Sequence, residues 1–542
     1  MKVKQKALVC SALLMLAGTA LSACGKEENK PNTSPSATAG ASQKSDESAL
    51  SKPLELSVAV WDIQTGFDAP KAKDDTLYND LTKKFNITIK PVQITWNDWQ
   101  EKAKVWAASK QLPDMFANEV DLGLYQTWAK QGVIKPLPDD LSPYPNLKKL
   151  FSSPAVEPAL RPLKVDGKYY AVPRFGGEDI GDGRLGRPIR YRKDWAEEAG
   201  FTKDPASFDE FLAMTKAVVQ KHPGVTGLAI NSKGYLLTQF LGSFPEMVFS
   251  NNWTQENGKW IPAFTSEKAY PGIKQLRTLY SEGILDKDFA IQKDADGTNK
   301  FLSGQSFALY GMEGVSDEQV SAFKKANPGV SPSKAMGYLN IWPAADGKRY
   351  STAGAPFWSN TFFASTISDD KFKRSLQVLD YMLSDEYRIL GINGIENIDY
   401  KVENGQYVSL LKAGETLADK YPITSKLVWL AAWDPLLYKG KKVVSSDPEG
   451  AALLKLQIET WNRYKQENKL MPVNFDFNAI STPAKNKFGA LDPDIQNDII
   501  KVILGKGDPI AQWKEIVKGY DSKGVPEAIK EVNDEVAKQG IK

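Results

Sequence analysis

The chain has 542 residues, 42% hydrophobic and 25% charged, with a formal net charge of +3 at pH 7. That length exceeds one ordinary hydrophobic core and implies two or three domain-sized units, while the near balance of charge offers no broad footprint for nucleic acid. Cys10 and Cys24 are the only cysteines and His222 the only histidine. Zinc sites and histidine-based triads therefore lack their usual residues, and only carboxylate chemistry stays open to catalysis.

Lys2, Lys4 and Lys6 precede an apolar run over 7–21, the layout of a secretory signal. About fourteen apolar residues rise only ~21 Å as a helix, short of the ~30 Å hydrocarbon core, so the run reads as an export signal and not as a span. Leu21-Ser22-Ala23-Cys24 resembles the lipobox of bacterial lipoproteins. The resemblance implies a signal peptide over 1–23, a lipid such as palmitate on Cys24, and a body held at the cell membrane on its extracytoplasmic side. With Cys10 in the signal and Cys24 lipidated, the body has no thiol for a disulfide or a thiolate metal site. Residues 25–52 are rich in Lys, Glu, Ser, Pro, Thr and Gly and read as a solvated tether with a reach of roughly 30 Å.

The body opens with an alternating strand over 54–60, helical spacing through Leu77, Leu81 and Phe85, and a second alternating strand over 86–90, the beginning of a parallel α/β sheet. A helix starting near Asn97 follows, with Trp99 and Trp106 on one face as core, then a turn and strand over 112–117. Pro136, Pro138, Pro143 and Pro145 punctuate short helices up to Tyr170. Ser207 to Glu210 is a capping box ahead of a helix carrying Phe211, Leu212, Val218 and Val219. His222, before Pro223, reads as the end of that helix. Further strands are expected at 227–230, 306–310 and 359–365, and helices after Phe372. No period of 20 to 50 residues recurs, which argues against solenoids and propellers.

Leu112-Pro113-Asp114, Asp166-Gly167-Lys168-Tyr169-Tyr170-Ala171-Val172-Pro173, Arg192-Lys193-Asp194-Trp195, Phe301-Leu302-Ser303-Gly304-Gln305, Ser384-Asp385-Glu386-Tyr387-Arg388 and Gly391-Ile392-Asn393-Gly394 occur in this order. Together they resemble family 1 extracellular solute-binding lipoproteins of sugar importers, and Ile503 to Lys506 with Trp513 resembles the closing helices of that family. The resemblance implies a two-lobed periplasmic-binding-protein-like α/β fold with a hinge and an interlobe ligand cleft. It places lobe 1 at 53–171 and 349–404 and lobe 2 at 172–348 and 405–542. Carried over by position, the cleft-lining residues are Trp61, Asn118, Glu119, Arg174, Phe175, Tyr310, Glu313, Phe357, Trp358 and Trp433. The implied partners are an oligosaccharide and the permease subunits of an ABC-type importer, the body being a monomer and not an enzyme. The calcium loop of the alginate-binding relatives is not carried over, because Lys221 to Gly227 offers no carboxylate, and Asp294 to Gly297 fails calcium-loop spacing.

Sugars combine apolar C–H faces with polar rims, and fourteen tryptophans and twenty tyrosines supply platforms for them. Trp61, Phe175, Trp342, Phe357, Trp358 and Trp433 sit at loop or strand ends, each open to a core or a ligand role. Arg174, Arg184, Arg187, Arg190 and Arg192 crowd nineteen residues. One or two of them grip an acidic sugar's carboxylate, or all pair with Glu178, Asp179, Asp182 and Asp194. Gly181 to Gly186 fits a dinucleotide glycine pattern but leads to Pro188 and a strand where a helix is required. A surface-anchored carbohydrate enzyme using Glu119 and Glu313 is the alternative from another class.

Overall fold

The computed structural model describes residues 50–541 apart from 97, 155, 176–188, 232–252, 312–315, 345, 353–355, 413–414, 433–444, 446, 472 and 490. The signal run, Cys24, most of the tether, Glu313, Trp433, Arg184, Arg187 and the 181–186 glycine pattern lie outside the described residues.

The strand expected at the start of the body forms as β1 (Leu54–Ala59), with Leu56, Val58 and Ala59 fully buried. Behind it the helix Thr76–Phe85 buries Leu77, Leu81 and Phe85, one stripe at helical spacing. Its N-cap Asp75 accepts from the Tyr78 amide at 2.9 Å, and Asn86 ends it in the left-handed conformation at φ 45, turning the chain into β2 (Ile87–Pro91). The helix Trp99–Ser109 then leads to β3 (Met115–Asn118). β1 pairs in parallel with both β2 and β3, as a strand–helix–strand unit requires. β4 (Ala171–Phe175) and a late strand, β9 (Phe357–Phe363), complete a five-stranded sheet in the order β2-β1-β3-β9-β4, with β9 antiparallel to β3 and β4.

A second sheet has the order β8-β5-β7-β6, built from β5 (Ile189–Arg192), β6 (Thr226–Ile230), β7 (Ser306–Tyr310) and β8 (Met336–Leu339). β6 and β7 are parallel, and β5 runs against both neighbours. Ser207 caps the helix Phe208–Lys221 by accepting from the Glu210 amide, and Phe211, Met214 and Val218 seat it on this sheet's core. The helices Asp492–Leu504 and Pro509–Gly519 bring Ile499, Ile503 and Trp513 to the same core. The fold is two-lobed α/β, each large sheet with its own apolar core. Among the described residues no helix is long and apolar enough to cross a membrane.

The lobe boundaries differ from those expected. Val172 pairs with Thr361 and Phe175 with Phe357, so the first sheet keeps the whole of β4. Residues 349–352 do not return to it, because Arg349–Thr352 pairs in parallel with Asn468–Met471. The expected exit at 405 falls too early. Ile423, Leu427, Leu430 and Ala431 are buried in the first core, and Asp75 accepts from the Ile423 and Thr424 amides at 2.9 and 2.8 Å and from the Thr424 hydroxyl at 2.8 Å. A carboxylate already capping one helix thus ties a segment some 350 residues away into the same lobe.

One cation in the second core bears on stability. Lys485 is 9% exposed, its Nζ donates to the Phe477 and Ile480 carbonyls at 3.2 and 2.9 Å, and burial pushes its pKa down to about 7. The unfolded chain, with lysine near 10.4, binds more protons than the folded one between pH 7 and about 10, so this group's contribution to stability rises with pH across that window. Denaturant melts at pH 6.5 and pH 9 are therefore expected to show the wild type gaining on Lys485→Met, by at most about 1.4 kcal/mol per pH unit; a difference that does not change with pH would contradict it.

Candidate ligand-binding site

The carboxyl ends of the parallel strands in the first sheet converge on a cluster of tryptophans. Past the end of β1, Trp61 makes a parallel bridge with Ile94, which carries the chain beyond β2 to Trp96 at the same level. β3 ends at Asn118. Because β9 runs the other way, its first residues meet that edge: Asn360 lies opposite Asn118, and Phe357 opposite Phe175 at the end of β4. Trp429 joins them from the short turn of helix Val428–Leu430. The carboxyl edge is where open α/β sheets hold ligands.

The rings are packed on one another. Trp61 and Trp96 stack with centroids 5.0 Å apart and planes 18° apart, and Trp358 lies 5.3 Å from Trp61 and 6.0 Å from Trp96. Trp99 meets Trp61 and Trp358 edge-on at 5.5 and 5.8 Å, and Trp429 meets Trp96 edge-on at 5.7 Å. Trp61 is 2% exposed and Trp96 is 47% exposed, so the stack runs from the core to the surface.

Beneath the rings lies Arg174, fully buried. Its Nε donates to the Trp429 carbonyl and its Nη1 to the Ser359 hydroxyl. The guanidinium sits 4.6 Å from the Trp61 ring centroid and 5.8 Å from those of Trp358 and Trp429, within cation–π range. No carboxylate touches it among the described residues, and burial pushes it down to about 9. Four buried polar atoms in this cluster have no hydrogen-bond partner there: the donors Arg174 Nη2 and Trp61 Nε1, and the acceptors Asn118 Oδ1 and Asn360 Oδ1. Asn118 Nδ2 is occupied, donating to the Trp99 carbonyl at 3.1 Å, which directs its oxygen away from that bond. Buried polar atoms are normally paired, so unpaired donors and acceptors beside flat apolar rings form a surface that a polyhydroxylated solute can complete.

Of the residues expected to line the cleft, the structure brings together Trp61, Asn118, Arg174 and Trp358, with Phe357 half-buried against the first core. Phe175 is placed by its backbone pairing, and Glu119 stands exposed past β3. Tyr310 is buried at the end of β7 in the core of the second sheet. Trp342 is core as well, packed on Phe208 and Phe211 at 5.2 Å each with its Nε1 donating to Gln275 at 2.9 Å. Trp96, Trp99, Trp429, Ser359 and Asn360 escaped the sequence reading. Trp99 was read as core, and it is buried, but its edge also walls the ring cluster. Nothing local marks Trp429, whose place depends on the long return of 423–431 to the first lobe.

The arginines divide between the two readings. Arg192 pairs with Asp194 at 2.6 Å over the Trp195 ring, the ordinary ion pair. Arg190 is buried by Tyr338, 5.7 Å from its ring, and Arg174 meets no anion among the described residues. His222 ends its helix as expected, stacked on Trp195 at 4.2 Å and 3.1 Å from a Glu198 carboxylate oxygen. Asp294 to Gly297 is the first turn of the helix Asp294–Leu302, where a Cβ on Gly297 would fall 2.0 Å from the Ile230 carbonyl oxygen, so glycine serves close packing there. Among the described residues no group of three or more acidic, histidine or cysteine side chains is placed to hold a metal ion.

Residues 76–389, more than half of the chain, match the family described as bacterial extracellular solute-binding protein. The chain is 25% identical over 343 residues to the lipoprotein LipO of Bacillus subtilis strain 168, covering 61% of this chain and 65% of LipO. It is 28% identical over 246 residues to the fructooligosaccharide ABC transporter substrate-binding protein FusA of Streptococcus pneumoniae, covering 40% of this chain and 44% of FusA. Among solved structures, the alginate-binding protein AlgQ2 without calcium ion superposes with a TM-score of 0.67 at 18% identity, over 90% of this chain and 98% of that one. FusA in complex with kestose superposes with 0.65 at 17%, over 90% and 99%. The fold is theirs, and the chain belongs to the family of bacterial extracellular solute-binding proteins.

Proposed function

We propose that this protein captures an oligosaccharide at the tryptophan cluster of its first lobe and delivers it to the permease of an ABC-type importer, without catalysis. The observation that carries the reading is the pairing of stacked rings with the unpartnered atoms of Arg174, Trp61, Asn118 and Asn360. Indole faces suit the C–H faces of a pyranose or furanose, and the free donors and acceptors suit its hydroxyls. FusA and AlgQ2, which carry saccharide ligands in their names, share the fold. The second lobe, with Tyr310 and Glu313 at or past the end of β7, closes over the bound sugar. Lipid on Cys24 holds the monomeric body at the outer face of the cell membrane through the 25–52 tether.

Thermal shift against pooled plant, fungal and algal oligosaccharides tests the core of this reading, since ligand at a hundredfold excess over Kd stabilises by about 2.7 kcal/mol. Stabilisation without new reducing ends is expected, and release of reducing ends would favour a hydrolase. Trp358→Ala should weaken binding of the stabilising sugar at least about thirtyfold, the ~2 kcal/mol or more lost with a central aromatic anchor. Trp96→Ala should also weaken it while moving the melting point little, because half of that ring is already in solvent. Calorimetric titration beside a melting curve reads both, and unchanged affinity in both variants removes the cluster from the site. Cys24→Ser should shift the folded body from the membrane fraction to the soluble one, and a variant that still sediments with membranes would count against the anchor.

A further inference from the structure

The ligand-binding reading leaves a buried charge unexplained, and it is the charge that names the ligand. Arg174 is fully enclosed, yet among the described residues no carboxylate reaches it; its bonded partners there are a carbonyl and a hydroxyl, both neutral. Enclosing a cation without an anion costs several kcal/mol, and the three tryptophan faces around it return only part of that. The partly exposed lysines of the first lobe meet carboxylates, Lys371 with Asp114 at 2.9 Å and Lys135 with Asp369 at 2.8 Å, and buried Arg374 donates to the Phe85 and Asn86 carbonyls, whereas Arg174 keeps Nη2 without a partner among the described residues. That unpartnered nitrogen lies where the sheet edge, the stacked rings and the other unpaired atoms coincide.

Resting on the reading that this cluster is the sugar site, we infer that its ligand is anionic, an oligosaccharide carrying uronate carboxylates. One carboxylate oxygen takes Arg174 Nη2 and the other takes Trp61 Nε1, two donors that belong to residues in direct contact and that lack partners here. The hydroxyls of the same sugar ring donate to Asn118 Oδ1 and Asn360 Oδ1, which face each other across β3 and β9. The set of two donors and two acceptors fits a hydroxylated carboxylate better than a neutral sugar, whose hydroxyls need no fixed cation. Entry is past Trp96, the ring with half its surface in solvent: the sugar slides between Trp96 and the Trp61 and Trp358 faces and is sandwiched. Nε and Nη1 keep their bonds to Trp429 and Ser359, so the guanidinium is held in place before the carboxylate arrives.

The test is a paired titration of the full-length body at pH 7. Tri- to hexasaccharides of α-galacturonate, of β-mannuronate with α-guluronate, and of glucuronate-bearing xylan are each compared with their carboxyl-reduced neutral counterparts, with kestose and cello-oligosaccharides added as neutral controls. At least one uronate is expected to bind at least thirtyfold tighter than its reduced counterpart. Arg174→Gln should erase that ratio by weakening the uronate while sparing the reduced sugar, and Arg174→Lys should restore part of it. A structural role for Arg174 alone would weaken both members of the pair equally and would overturn the inference. So would neutral sugars binding as well as or better than every uronate, a result that leaves the sugar-receptor reading standing. If no carbohydrate of either kind binds, both the receptor reading and this inference fall. The wild-type pair comparison decides the matter even where an Arg174 variant does not fold.

Discussion

The first lobe is assembled around one buried cation. Arg174 reaches from the end of β4 to Ser359 near the start of β9 and to Trp429 in the 423–431 segment, and its face lies against Trp61 beyond β1. Four stretches of chain, each at least 70 residues from the next in sequence, meet on a single planar group. A guanidinium suits this task because its donors diverge in a fixed plane while its faces stack on aromatic rings. A lysine at the same place would offer a point charge and no plane. The rings thus contact a guanidinium plane beneath them as well as one another.

Three of these stretches lie close to where the chain leaves or re-enters the first lobe. β4 is the last element of the first sheet before β5 opens the second, β9 is where the chain returns, and 423–431 is the last buried piece of the first core before the helix Pro448–Glu467. Crossing segments are the ones that must bend when two lobes close on a solute. Arg174 ties all three of them together beside the tryptophan cluster. Asp75 does related work at a distance, since its bonds to Ile423 and Thr424 fix the stem from which Trp429 projects.

Much of the fold was legible in the sequence because it follows from local periodicity. The alternations at 54–60 and 86–90, the stripe of Leu77, Leu81 and Phe85, and the capping serine at Ser207 all became the elements they announced. Trp61, Asn118, Arg174 and Trp358 were placed by the family resemblance, and the structure brings them together at one sheet edge. What failed was long-range. Residues 405–431 look helical and polar enough for either lobe, and only the Asp75 contacts decide the matter. Trp99 shows a different limit, for a ring on the buried face of a helix can wall a site with its edge, and helical spacing reports the face alone. The arginine cluster was recognisable as a bias, but its division into an ordinary ion pair at Arg192 and a buried Arg174 that meets no carboxylate among the described residues depends on burial.

The packing of the rings also sets how tightly the site can hold anything. Trp61 stacks on Trp96 and lies against Trp358, so apolar surface that a sugar would cover is covered by protein. Binding exchanges ring–ring contact for ring–sugar contact, and only the difference appears as affinity. The polar atoms behave oppositely: those without a partner among the described residues are ones a ligand can satisfy without breaking a protein hydrogen bond. Specificity in such a site comes from the hydrogen-bonding pattern of the solute, while the rings accept many sugar faces at modest gain. That division suits a receptor, which must recognise its solute closely and yet release it when the lobes part.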